Sequence, residues 1–128
     1  MTRKSAILAL VLLTGGAAQA EPIVGTWLTG PDNKDQVAHM QITSCGASFC
    51  GKVLRAFGSE GQQVTTPNVG KRVIWDVTAQ GSGTYRGKVL LPLYRTTVDG
   101  LFSVVGDRLK LKGCMGPVCR TQSWTRVH

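Results

Sequence analysis

From residue 24 onward, apolar and polar side chains alternate with a period of two. Val73, Trp75 and Val77 alternate with Arg72 and Asp76. Tyr85, Gly87, Val89 and Leu91 alternate with Arg86 and Lys88, and Leu109 and Leu111 with Arg108, Lys110 and Lys112. This period turns one face of a strand toward a core and the other toward water, whereas a helix needs a period of 3.6. Turn formers interrupt the pattern at Gly30-Pro31-Asp32-Asn33, Gly81-Ser82-Gly83, Asp99-Gly100 and Gly106-Asp107. The alternation and the breaks predict strands near 24–29, 36–43, 49–55, 72–79, 84–91, 94–98, 101–105, 108–113 and 118–127. Eight or nine short strands at even spacing predict an all-β fold, either a sandwich or a closed meander barrel; closure removes unpaired edges. The longest connection, 56–70, is then either a lid over the barrel mouth or a crossover.

The first twenty residues follow another rule. Arg3 and Lys4 precede an apolar run from Ala6 to Leu13, and Ala18-Gln19-Ala20 supplies the small-x-small pattern of a signal-peptidase site. The run is too short for a permanent membrane anchor. Residues 1–20 are therefore expected to be a cleaved signal peptide, the competing reading being an N-terminal core helix. A single domain, 21–128, would remain, periplasmic or secreted and not membrane-spanning. No cysteine follows the cleavage site to take a lipid anchor.

Export changes how the charge and the cysteines are read. The whole chain carries +8; without Arg3 and Lys4, 13 basic residues face 7 acidic ones, a net +6. In an exported protein such a balance suits envelope polyanions better than nucleic acid, or simply serves solubility. The four cysteines form two equal spacings, Cys45 with Cys50 and Cys114 with Cys119. An oxidising compartment favours disulfides, and two local bridges clasping turns are expected out of three possible pairings. Each would contribute about 2 kcal/mol by shortening a loop of roughly six residues. The alternative is one zinc held by four thiolates, although zinc ribbons use tighter Cys-x-x-Cys knuckles. Neither pair has the Cys-x-x-Cys spacing of a redox motif. No metal and no cofactor are expected.

Candidate chemistry is sparse. Gly25-Thr26-Trp27 opens the first strand, and Arg120, Gln122, Trp124 and Arg126 share one face of the last. In small barrels an early Gly-x-Trp lies beneath a basic residue of the final strand, a cation on an indole face that plugs one end. Above such a plug lies either a ligand cavity or a fully packed interior. Trp124 is expected to face inward, because the opposite face (Cys119, Thr121, Ser123, Thr125 and Val127) would make a poor core. Arg120, Gln122 and Arg126 would then face inward too and need a partner: a polar or acidic ligand, exposure at a barrel end, or Asp76. The candidate ligand-lining or plug residues are thus Trp27, Trp75, Arg120, Gln122, Trp124 and Arg126. Catalysis is poorly supported: His39 stands alone apart from the terminal His128, and no spacing suggests a triad, a carboxylate pair or a phosphate loop.

Several segments together resemble a known family. They are Val24-Gly25-Thr26-Trp27, Cys50-Gly51-Lys52-Val53, Gly70-Lys71-Arg72-Val73-Ile74-Trp75 and Tyr85-Arg86-Gly87-Lys88-Val89. The series ends with Gly106-Asp107-Arg108-Leu109-Lys110-Leu111-Lys112-Gly113-Cys114 and Cys119-Arg120-Thr121-Gln122-Ser123-Trp124-Thr125-Arg126-Val127. In this order they resemble the secreted bacterial family called domain of unknown function 2147, over essentially all of 21–128. The resemblance implies a lipocalin-like barrel of about eight strands and no established activity, so no catalytic or binding residue carries over. One departure is Thr96-Thr97-Val98 where the family pattern has Lys-Thr-Tyr, which implies a more apolar cavity wall at that point.

Two functions compete. The first is a non-catalytic periplasmic barrel, a monomer, that holds a small anionic or amphipathic molecule. The second is an envelope protein-interaction module, such as a hydrolase inhibitor, presenting the 56–70 loop with the Cys45–Cys50 turn beside it. A hydrolase with an unrecognised site is a third and weaker reading.

Overall fold

Strands form where the alternation runs on, and the chain reverses where glycine or a short polar residue accepts positive φ. The computed structural model describes residues 21–128, so the expected signal segment, 1–20, lies outside the described residues. The strands are β1 (Gly25–Leu28), β2 (Val37–Cys45), β3 (Ser48–Phe57), β4 (Gln63–Val64), β5 (Arg72–Gly81), β6 (Thr84–Leu91), β7 (Thr96–Val105), β8 (Arg108–Met115) and β9 (Val118–Val127). Their order is β2-β1-β9-β8-β7-β6-β5-β3-β4, and a β2–β3 pairing closes the ring. Eight strands therefore form a closed antiparallel barrel, with two-residue β4 appended to the end of β3. No helix occurs among the described residues.

The meander gives the barrel two unlike poles. At one lie the β2–β3, β5–β6 and β7–β8 turns and residues 21–24. At the other lie the β1–β2 loop, the 58–71 segment and the β6–β7 and β8–β9 turns. Large side chains fill the first half: Ile23, Trp27, Ile42, Val77, Phe102 and Leu109 are wholly buried. Each such burial stabilises the fold by about 1.5–3 kcal/mol.

The structure departs from the sequence reading at β7. Asp99-Gly100 is no turn, and the strands expected at 94–98 and 101–105 are one. The reversal falls at Pro92–Arg95 instead, where Tyr94 N–H donates to the Leu91 carbonyl. Gly100 stays in the strand because the interior is crowded: a Cβ there would lie 2.7 Å from Val89 Cγ2 and 3.0 Å from Leu111 Cδ1. Asp99 points outward and pairs with Lys88 on β6.

A second departure lies in β5. Asp76 has φ +53 and sits in a bulge, where the β5–β6 register shifts between Trp75 and Thr78. The inserted residue resets the alternation. Ile74 and Val77 turn inward, while Trp75 is half-buried outside the core cluster. Trp75 is thus not a lining or plug residue. Asp76 is exposed and cannot serve as the internal partner of the β9 cations.

Both cysteine pairs are bridged locally, Cys45 to Cys50 and Cys114 to Cys119, and none of the four is free. The bridges clasp the β2–β3 and β8–β9 hairpins at opposite poles. The Cys45–Cys50 turn therefore lies at the far end of β3 from the start of the 56–70 loop, not beside it.

Gly87 tests how tightly the walls meet. A Cβ there would fall 2.5 Å from Val77 Cγ2 and 3.0 Å from both the Trp75 carbonyl oxygen and Val77 Cα. Gly87→Ala is expected to destabilise the barrel by about 1–3 kcal/mol through overpacking. Urea unfolding should show this as a lower midpoint; an unchanged midpoint would mean that the β5 bulge yields.

Candidate functional site

The closed pole is built around one pair. Trp27 on β1 and Arg126 on β9 are cross-strand neighbours. The Arg126 guanidinium lies over the indole, with Cζ 4.2 Å from the ring centroid. Its Nη1 donates to the Val24 carbonyl (2.9 Å) and its Nη2 to the Pro22 carbonyl (2.7 Å), while Nε faces Asp107 Oδ1 at 3.2 Å. Trp27 Nε1 donates to the Ile23 carbonyl at 2.9 Å. One arginine and one tryptophan thereby fold residues 21–24 across the barrel end as a cap. Tyr85 adds a further tie, its hydroxyl donating to Glu21 Oε2 at 2.8 Å. Burial and the neighbouring carboxylate push the Tyr85 phenol up to about 12.

Above this packed half the barrel is hollow. A cavity of about 770 Å³ opens at the other pole. Its walls are apolar, formed by side chains such as Met40, Val53, Ile74, Val89, Val98 and Leu111, with Trp124 among them. Polar groups gather toward the mouth: Thr66 and Asn68 from the 58–71 segment, Gln36 from the β1–β2 loop, and Gln122 and Arg120 from β9. Gln122 is fixed by its amide oxygen, which accepts from Trp124 Nε1 at 2.6 Å. Among the described residues, Arg120 and Asp32 are the only charged ones lining the cavity. Asp32 Oδ1 is engaged by the backbone N–H groups of Lys34 and Gln36 (2.8 and 2.9 Å). Arg120, opposite Gly113 in the register, has no ion-pair partner among the described residues.

The β9 face thus divides by height. Arg126 belongs to the cap, buried Trp124 separates cap from cavity, and Gln122 and Arg120 rise toward the mouth. Trp27 also belongs to the cap and does not line the cavity. Sequence reasoning missed most of the apolar lining. The alternation marked Val89 and Leu109 as inward, but nothing in it says which inward residues lie above the plug. The Glu21–Tyr85 bond spans 64 positions and left no local signal.

Catalytic groups do not converge. His39 lies on the outer face of β2, its ring centroid 4.9 Å from that of Phe57, and burial together with the Arg55 cation lowers its pKa. Among the described residues no three of His, Cys, Asp and Glu come together in a metal-holding group. The arrangement, an apolar chamber with a sealed floor and Arg120 in the lining near the mouth, is compatible with holding a small molecule.

Residues 25–126 match the family described as "Uncharacterized protein conserved in bacteria (DUF2147)". The chain belongs to this family. Among solved structures this DUF2147 protein is similar to the Helicobacter pylori protein HP1028, described as belonging to the lipocalin family. The TM-score is 0.65 over 82% of each chain, at 13% sequence identity. That likeness establishes a lipocalin-like fold. No curated protein matches the sequence. Val98 stands in the cavity wall.

The cap has a titration signature. Tyr85 and Tyr94 are the two tyrosines of the chain. Tyr85 should ionise only at about 12, above the ordinary phenol value of 10.0. A phenol whose folded pKa is raised contributes stability below its unfolded value of 10.0, and that stability fades as pH climbs toward about 12. Phenolate absorbance should include a late rise toward about 12, and stability should decline as pH climbs from 10.0 toward that value. Tyr85→Phe should remove both the late rise and its share of the decline.

Proposed function

We propose that this DUF2147 protein is an exported, periplasmic, non-catalytic binding protein for a small amphipathic anion. The observation that carries the reading is the open apolar cavity of about 770 Å³ with Arg120, which has no ion-pair partner among the described residues, at its mouth. The volume lies within the usual range for small-molecule sites, about 300–1,000 Å³. Apolar walls favour a hydrocarbon body through area burial. The planar guanidinium of Arg120 favours a carboxylate, sulfate or phosphate head and holds it bidentately. Gln122, Thr66 and Asn68 offer neutral hydrogen bonds around that head.

Export rests on Arg3 and Lys4, the apolar run after them and the small-x-small site ending at Ala20. The two disulfides point the same way, toward an oxidising compartment.

Anilinonaphthalene sulfonate pairs an apolar body with an anion and reports burial by fluorescence. It should bind, and a long-chain fatty acid should displace it more strongly than the matching fatty alcohol. Arg120→Gln should weaken fatty-acid binding about tenfold, the equivalent of one lost charged hydrogen-bonding partner, and leave the alcohol unchanged. Absence of probe binding, together with uniformly empty protein in native mass spectra of periplasmic material, would overturn the proposal.

A further inference from the structure

The mouth carries a surface that the cavity alone does not account for. The β6–β7 turn exposes Leu93 and Tyr94, at 62% and 55%, and the β8–β9 hairpin exposes Met115 and Val118, at 41% and 57%. Four of the six large hydrophobics exposed on the described residues thus gather on two hairpin tips. Both tips stand at the mouth pole on the ends of adjacent strands, β7 and β8, which pair from Val105–Arg108 up to Gly100–Gly113. Tyr94, Met115 and Val118 also line the cavity, so the exposed apolar tips form part of its lip.

The charge around these tips is of one sign. Arg95, Lys112 and Arg120 are exposed beside them, and none forms an ion pair among the described residues. The nearest acid on these strands, Asp99, is taken by Lys88. The other acids of this pole, Asp32, Asp35 and Glu60, belong to the β1–β2 loop and the 58–71 segment.

We propose that the β6–β7 and β8–β9 tips seat the barrel mouth on an anionic phospholipid surface. Leu93, Met115 and Val118 enter the region between headgroups and acyl chains, and Tyr94 lies at headgroup level, where an aromatic ring with a hydroxyl is well accommodated. Arg95, Lys112 and Arg120 meet the lipid phosphates. The docking is peripheral. A second copy of the chain fits poorly: four apolar side chains fall short of the roughly 20–30 residues per side of a stable interface, and a symmetric pairing would set cations against cations. The Cys114–Cys119 bridge adjoins the Met115–Val118 pair in the register and clasps this tip. Docked in this way, the cavity faces the bilayer, so an amphipathic ligand could enter without crossing water. That consequence rests on the proposed function; the docking does not.

Vesicle co-sedimentation tests the docking. The protein should bind phosphatidylglycerol vesicles, bind phosphatidylcholine vesicles weakly, and lose the difference at high salt. Replacing Arg95, Lys112 and Arg120 together by Gln should lower affinity for phosphatidylglycerol about a hundredfold, at about 1 kcal/mol per cation. Leu93→Asp, at a tip residue that does not line the cavity, should strongly weaken sedimentation while leaving anilinonaphthalene sulfonate binding in the cavity intact. Arg95 occupies positive φ (49), so Arg95→Gly should keep the fold at least as stable and still weaken docking. Equal binding to both vesicle types, unchanged binding by the Asp variant, or a concentration-dependent dimer that the Asp variant abolishes would overturn the proposal. Loss of probe binding with vesicle binding retained would instead count against the ligand cavity alone.

Discussion

The stacking of Arg126 on Trp27 is the contact on which the rest of the barrel depends. An eight-stranded ring has an interior just wide enough for side chains or for one small ligand. Which of these it holds is decided by how the ends are treated. Here a single cation answers the indole face, two carbonyls and Asp107 at once. The result is a floor made of residues 21–24, which carry almost no regular structure of their own. The floor lets the lower half pack to full density and leaves the upper half free to be hollow.

That division also explains the unusual last strand. Arg120, Gln122, Trp124 and Arg126 occupy one face, which would be a costly composition for a uniformly buried wall. Spread along the barrel axis, each meets a different environment. Arg126 is satisfied by the cap, Trp124 donates to Gln122, and Arg120 reaches the wet mouth. No internal acid is needed, and exposed Asp76 supplies none.

Much of the architecture was legible because alternation and turn chemistry are local. The end plug was legible for another reason: Gly25-Thr26-Trp27 and Arg126 are chemically distinctive and sit on strands that closure must bring together. What could not be read depends on interior contacts between distant segments. Asp99-Gly100 looks like a hairpin turn in sequence, yet Gly100 is demanded by Val89, Leu111 and Phe102 crowding the barrel axis. Trp75 looks inward by parity, but the left-handed Asp76 shifts the count by one. The height at which packing gives way to cavity is a sum over all eight strands, so no single segment announces it.

The cap also decides where the chain ends lie. Glu21 is held by Tyr85 beneath the floor, and β9 finishes beside β1, with His128 reaching Asp107 at 3.2 Å. Both ends of the folded domain therefore emerge at the same sealed pole. A tether, a fusion partner or a solid support attached at either end would point the mouth away from its attachment, like a cup held by its base.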